Sequence, residues 1–182
     1  MSAKIIPVRP IPDAANSTIM EIKPITNDNF LELLEIYSQG LATNIATFQN
    51  ELPKWEDWDK GHLAFCRISI YENDEMLGWT ALSPVSSRCV YSGVAEVSIY
   101  VAQEARGKGI GKILLNELIK QSESNEIWTL QSGIFAENQN SIKLHGKCGF
   151  RIVGYREKIG KKNGVWKDNV LMERRSKNIG TD

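Results

Sequence analysis

Residues Ala95–Val101 read AEVSIYV, Gln103–Gly111 read QEARGKGIG, and the chain continues as Lys112-Ile113-Leu114-Leu115. The first block is β-branched and aromatic, which suits a half-buried strand. Beyond the second block, Ile113, Leu114, Leu118 and Ile119 recur at helical spacing. Arg106-Gly107-Lys108-Gly109-Ile110-Gly111-Lys112 therefore joins a strand to the start of a helix. Three alternate glycines let the backbone turn tightly and approach a ligand closely. The first helical turn leaves amide groups without internal partners, and the helix dipole favours an anion in front of them. Arg106, Lys108 and Lys112 add positive charge, so the arrangement suits a pyrophosphate.

The spacing discriminates among phosphate binders. A Walker loop needs Gly-x-x-x-x-Gly-Lys followed by Ser or Thr, and Ile113 follows Lys112. A dinucleotide fingerprint needs Gly-x-Gly-x-x-Gly; its sixth position is Lys112 counted from Gly107 and Leu114 counted from Gly109. Neither fits. Arg or Gln, two residues, Gly, one residue, then Gly or Ala does fit, through Arg106, Gly109 and Gly111.

Working outward, Met20–Ile25 reads as a short strand, and Asn27 or Asp28 as the cap of a helix carrying Phe30, Leu33, Leu34, Tyr37 and Leu41. Gly40 and Thr43–Phe48 break that pattern. Trp55 and Trp58 suggest a helical turn. Ala64–Tyr71 and Met76–Leu82 read as a hairpin about Asn73-Asp74. Ile127–Phe135 is a further strand, and Asn138 caps a short helix ending at Gly149. Phe150–Lys158 and Val165–Arg174 form two last strands, joined through Gly160 and Gly164. The expected order is β-α-(α)-β-β-β-α-β-α-β-β: an α/β (α+β) chain with a mixed central sheet flanked by helices.

Domain organisation follows from length: 182 residues make one domain, able to bury roughly 70% of its unfolded surface. Pro7, Pro10 and Pro12 set residues 1–19 apart as an extension expected to be flexible. The domain spans 20–175, and 176–182 is a polar tail. Lys+Arg and Asp+Glu are 22 each, net charge zero, which removes any general attraction to nucleic acid or an anionic membrane. No run is long and apolar enough to span a bilayer. Cys66, Cys89 and Cys148 lack metal or disulfide spacing, which points to reduced thiols, a cytoplasmic protein and no metal.

Further elements arrive in order. They are Arg88-x-x-Tyr91, Glu96-x-Ser98-x-Tyr100-Val101, the glycine loop, Asn138-x-x-Ser141-x-x-Leu144-His145, Gly149-Phe150 and Trp166-x-Asp168. Together they resemble the GNAT superfamily of acyl-CoA N-acyltransferases, in its phosphinothricin N-acetyltransferase branch, over roughly residues 20–175. The resemblance implies a sheet splayed at the cofactor site, acetyl-CoA as co-substrate, and a homodimer with the late strands and Trp166 near the partner. It implies acetylation of a small amino acid or analogue, such as phosphinothricin, methionine sulfoximine or methionine sulfone, by direct attack in a ternary complex.

An ammonium cannot attack a thioester until it loses a proton, so a carboxylate at the site mouth is needed, and Glu96 is the candidate. His145 stands where many relatives have a Tyr proton donor, and is expected to assist departure of the thiolate. Ile99, Tyr100 and Val101 offer backbone groups to the pantetheine arm as an added strand would. Residues 106–112 take the pyrophosphate, and Asn138 and Ser141 bond the pantetheine or a phosphate. Arg88 can hold a substrate carboxylate, with Phe48, Trp79, Tyr91 and Trp166 as pocket walls. No nucleophilic Cys is required. Two rival readings stay open: acetylation of a protein, peptide or polyamine amine, and a non-catalytic acyl-CoA sensor that has no use for Glu96.

Overall fold

Strands and helices form largely where apolar periodicity demands. The computed structural model describes residues 20–181; the segment 1–19 lies outside the described residues. The strands are β1 (Met20–Pro24), β2 (Ile68–Glu72), β3 (Glu75–Pro84), β4 (Val94–Val101), β5 (Thr129–Phe135), β6 (Arg151–Lys162) and β7 (Val165–Arg175). The helices are α1 (Phe30–Ala42), α2 (Trp55–Gly61), α3 (Ile110–Ser124) and α4 (Gln139–Lys147). This is the expected order, with boundaries displaced. The first helix is capped at Asn29. Its side chain accepts from the Thr26 amide at 2.9 Å and donates to the Pro24 carbonyl at 3.0 Å. Helix α1 continues through Gly40, and the glycine there makes room for the Tyr100 ring; a Cβ would lie 2.7 Å from it. β2 begins at Ile68, four residues later than expected.

The seven strands form one sheet in the order β1-β2-β3-β4-β5-β7-β6. All pairs are antiparallel except β4 with β5. That parallel pair joins only Val94, Ala95 and Glu96 to Thr129, Leu130 and Gln131. Past Glu96 the two strands part, and the sheet opens there as expected. Leu114, Leu115 and Leu118 of α3 are fully buried in the core with Ile68, Ile70 and Leu82. Each such side chain contributes roughly 1.5–3 kcal/mol of transfer free energy.

The last hairpin turns at Asn163 and Gly164, both at positive φ. Gly160 lies within β6 rather than in the turn. It is there for Phe48, whose ring would stand 2.8 Å from a Cβ. The segment expected as a polar tail folds back: the Ser176 amide donates to the Trp128 carbonyl at 2.8 Å, and Asn178 donates to Glu123 at 2.8 Å. Among the described residues no helix is long and apolar enough to cross a membrane.

Candidate active site

The opening between β4 and β5 is a cavity of about 410 Å³. Its walls come from Glu96–Tyr100 of β4, Gln131–Phe135 of β5, the loop Ala46–Gln49, and α4 with its cap through Asn138, Ser141 and His145. β6 and β7 close the far side with Arg156, Ile159, Asn169 and Leu171. That volume is of small-molecule size.

Glu96 is exposed and sits where the parallel pairing ends, opposite Gln131. The Gln131 amide donates to its carboxylate at 3.4 Å. Beyond it, Val97–Val101 keep their bonds to β3 but have no strand on the β5 side. A free backbone edge can take an extended ligand as an added strand. Tyr100 contributes that backbone while its ring packs away from the cavity, 4.8 Å from both Tyr37 and Trp79. Burial, then Tyr37, pushes its phenol well above the usual range.

Gly107 and Gly109 have φ of +78° and +85°, and a Cβ on either would meet nothing within 4 Å. The glycines are thus needed for conformation, and the space before α3 is clear. Among the described residues no backbone carbonyl takes the amides of Gly107, Gly109, Ile110 or Gly111. Gly111 packs on Leu144 of α4 and on Val101, which sets the loop against the end of β4. The loop and Val101 lie beyond the cavity proper. Arg106, Lys108 and Lys112 surround a helix start that already favours an anion.

Asn138 caps α4. Its side-chain oxygen accepts from the Ser141 amide at 3.2 Å, and its amide nitrogen donates to the Ile45 carbonyl at 3.3 Å. The residue therefore anchors the 43–48 loop over the cavity. Phe48 lines the cavity and meets Phe135 edge-on at 4.4 Å. The Lys162 ammonium, buried, holds the same loop through the Gln49 carbonyl and Asn50, the latter at 2.8 Å.

His145 is 0% exposed and lines the cavity. Its Nδ1–H donates to the Ser141 carbonyl at 2.9 Å, which leaves Nε2 as the lone-pair nitrogen, with no protein partner. Burial holds the imidazole below its ordinary range, the Ser141 carbonyl opposing only in part. A neutral imidazole of this tautomer accepts a proton at Nε2. It is not a resting acid, so the expected help to the departing thiolate requires that the ring first take up a proton.

The expected pocket walls divide. Phe48 is in place. Trp79 is 1% exposed and belongs to the core, in contact with Tyr37, Trp58 and Tyr100. It points to the face that α1 covers, so it is not a pocket wall. Arg88 and Tyr91 lie on an exposed turn, the guanidinium 5.5 Å from the Tyr91 ring, and do not line the cavity. Trp166 is 52% exposed at the hairpin end and stacks under Lys161. Arg156 and Asn169 line the cavity and were not anticipated. Only the cross-strand register brings them there, and local patterning carries no signal for it. Cys66 and Cys148 are buried, and burial pushes the Cys66 thiol up to about 12.

A sequence model of the acetyltransferase (GNAT) family matches residues 28–150. The chain is 27% identical over 163 residues to a phosphinothricin N-acetyltransferase of Streptomyces coelicolor, covering 85% of this chain and 95% of the relative. It is 33% identical over 99 residues to an L-methionine sulfoximine/L-methionine sulfone acetyltransferase of Pseudomonas paraeruginosa, covering 54% and 58%. A GNAT-superfamily phosphinothricin acetyltransferase from Sinorhizobium meliloti, solved with acetyl-CoA, superposes with a TM-score of 0.76 at 26% identity, covering 86% of this chain and 88% of that one. The splayed sheet, the open glycine loop and these likenesses converge: the chain belongs to the acetyltransferase (GNAT) family and is an N-acetyltransferase.

Proposed function

We propose that the enzyme moves acetyl from acetyl-CoA to the primary amine of a small amino acid or analogue, of the phosphinothricin, methionine sulfoximine or methionine sulfone type. One observation carries the reading: the Glu96 carboxylate stands where β4 and β5 part, at the wall of a cavity of about 410 Å³. A non-catalytic acyl-CoA sensor needs no carboxylate there. The named substrates of the relatives support the acceptor class.

The residues suit acetyl-CoA. The free amides of Gly107, Gly109, Ile110 and Gly111, with Arg106, Lys108 and Lys112, would hold its pyrophosphate. The open edge of Ile99–Val101 would hold the pantetheine, and Asn138 and Ser141 keep α4 in position beside it. Bound there, acetyl-CoA supplies an acyl group activated as a thioester. Glu96 takes the first proton from the acceptor's ammonium, directly or through one water, and frees the lone pair for attack. Amide formation releases a second proton. His145 Nε2 accepts it and returns it to the departing sulfur, so the histidine acts as a relay and ends neutral. No covalent acyl-enzyme is needed, and both substrates must be bound together.

The reading includes a cytoplasmic homodimer. Three free thiols and the exposed Tyr155, Val165 and Trp166 of the β6–β7 edge support it; sedimentation equilibrium reads the dimer directly.

Thiol release from acetyl-CoA tests the reaction against phosphinothricin, methionine sulfoximine, methionine sulfone, common amino acids, a polyamine and a lysine peptide. Turnover on the first three, reduced about 10²–10⁴-fold in Glu96→Gln, is the expected result. Turnover on the peptide or polyamine alone would replace the acceptor assignment.

A further inference from the structure

The loop between α1 and α2 walls the cavity through Ala46–Gln49, yet it has no helix or strand of its own to hold it there. It is held from outside, by the far end of β6. Gly160 and Lys162 stand two residues apart on that strand, in regular register with β7, and so share a face. Gly160 leaves room for the Phe48 ring, which a Cβ would meet at 2.8 Å. Lys162 reaches the residues that follow: its ammonium donates to the Gln49 carbonyl and, at 2.8 Å, to Asn50 Oδ1. At the hairpin turn, Asn163 Nδ2 donates to Asn44 Oδ1 at 2.9 Å.

Lys162 is the member of this set that packing alone does not explain. It is 3% exposed, while its neighbour Lys161 is exposed over the Trp166 ring. Among the described residues its ammonium forms no ion pair. A buried charge is costly to desolvate, and fixed oxygen dipoles offset only part of that cost. An apolar side chain of similar volume could fill the same space without it. What the ammonium adds is direction: it ties the chain at one carbonyl and one side chain, directly after Phe48.

The tie bears on the face that carries Glu96. Gln131, Gly133 and Phe135 alternate along one face of β5, and Gln131 pairs with Glu96. Phe48 meets the Phe135 ring at 4.4 Å, so the loop stands over that same face. We infer that Lys162 is a positioning residue for the acceptor, resting on the reading that Glu96 takes the acceptor's proton. It touches none of the reacting atoms. By fixing Gln49 and Asn50 it sets how closely Phe48 approaches the sheet, and with that the width of the cavity on the Glu96 side. Without the tie the loop leaves the wall part of the time, and the acceptor amine is held in reach of Glu96 less often.

Steady-state kinetics and amide hydrogen exchange on Lys162→Met, Lys162→Arg and Asn50→Ala test this. The acceptor is whichever amine of the panel above turns over fastest, so a polyamine or peptide acceptor would refute the amino-acid class and leave this test standing. Lys162→Met keeps an apolar stem and removes the donors. It is expected to lower acceptor kcat/KM about tenfold or more, with the acetyl-CoA KM within about twofold of wild type. Exchange at residues 44–50 should quicken about tenfold, while β4 and α3 exchange as before. Lys162→Arg should recover part of the loss, and Asn50→Ala should show a smaller loss of the same kind. Wild-type acceptor kinetics in Lys162→Met would overturn the inference, as would equal losses for both substrates, the mark of a general structural role. If Lys162→Met does not fold, Asn50→Ala decides, because Asn50 is exposed: unchanged loop exchange and acceptor kinetics there overturn it.

Discussion

Replacing His145 with Gln should change how stability responds to acid, by an amount the burial of the ring fixes. In the native state His145 is fully buried, its Nδ1–H is committed to the Ser141 carbonyl, and its pKa is lowered by burial. The unfolded chain protonates that imidazole at about 6.5. Below that value the unfolded state binds a proton that the native state refuses, so stability falls as the pH drops toward the native pKa. Each such histidine contributes a limiting slope of about 1.4 kcal/mol per pH unit. His62 is shifted the same way by burial, which the Trp58 carbonyl opposes and the Arg67 charge reinforces to a lesser degree. Wild type should therefore lose stability as the pH falls below about 6.5, each of the two histidines adding at most about 1.4 kcal/mol per pH unit. His145→Gln should show a shallower slope whatever its stability at pH 7.5. Urea unfolding at pH 5.5, 6.0, 6.5 and 7.5 reads the slope, with His62→Gln as the matched control. An unchanged slope in His145→Gln would mean the native imidazole charges freely, and the neutral-acceptor role would fail with it.

Trp79→Ala should cost about 3–5 kcal/mol, a fall in melting temperature of roughly 10 °C, because it empties a core site; Phe48→Ala, at the cavity wall, should raise acceptor KM with a much smaller change in the melt. Gly109→Ala, forced to φ +85° in otherwise open space, should cost about 1–2 kcal/mol and raise the acetyl-CoA KM while sparing the acceptor KM. Gly133→Ala should displace the Asn169 amide, which a Cβ would approach within 3.1 Å at the cavity wall, and raise acceptor KM with the helix circular dichroism unchanged.

The sequence alone determined what depends on near neighbours. Apolar spacing placed α3, Asn138 was identified as a cap from its position before α4, and the glycine loop was legible because positive φ and free amides are local properties. The element order and the splay between β4 and β5 were also within reach, the first from periodicity and the second from the motifs and the family they resemble. What stayed hidden depends on where a side chain goes after the sheet has formed. Trp79 and Phe48 are both large aromatics, and only the packing of α1 on β3 and β4 buries one and leaves the other at the cavity. Gly40 and Gly160 read as breaks, and each instead admits a ring from a distant segment. His145 could be assigned to the site, but its acceptor tautomer depends on a carbonyl one turn away and on the burial around it. Arg156 and Asn169 meet through the pairing of β6 with β7 and of β7 with β5, a register set by the whole sheet. Tertiary structure decides these matters because a strand's periodicity states which residues share a face, while the neighbours on that face belong to other strands.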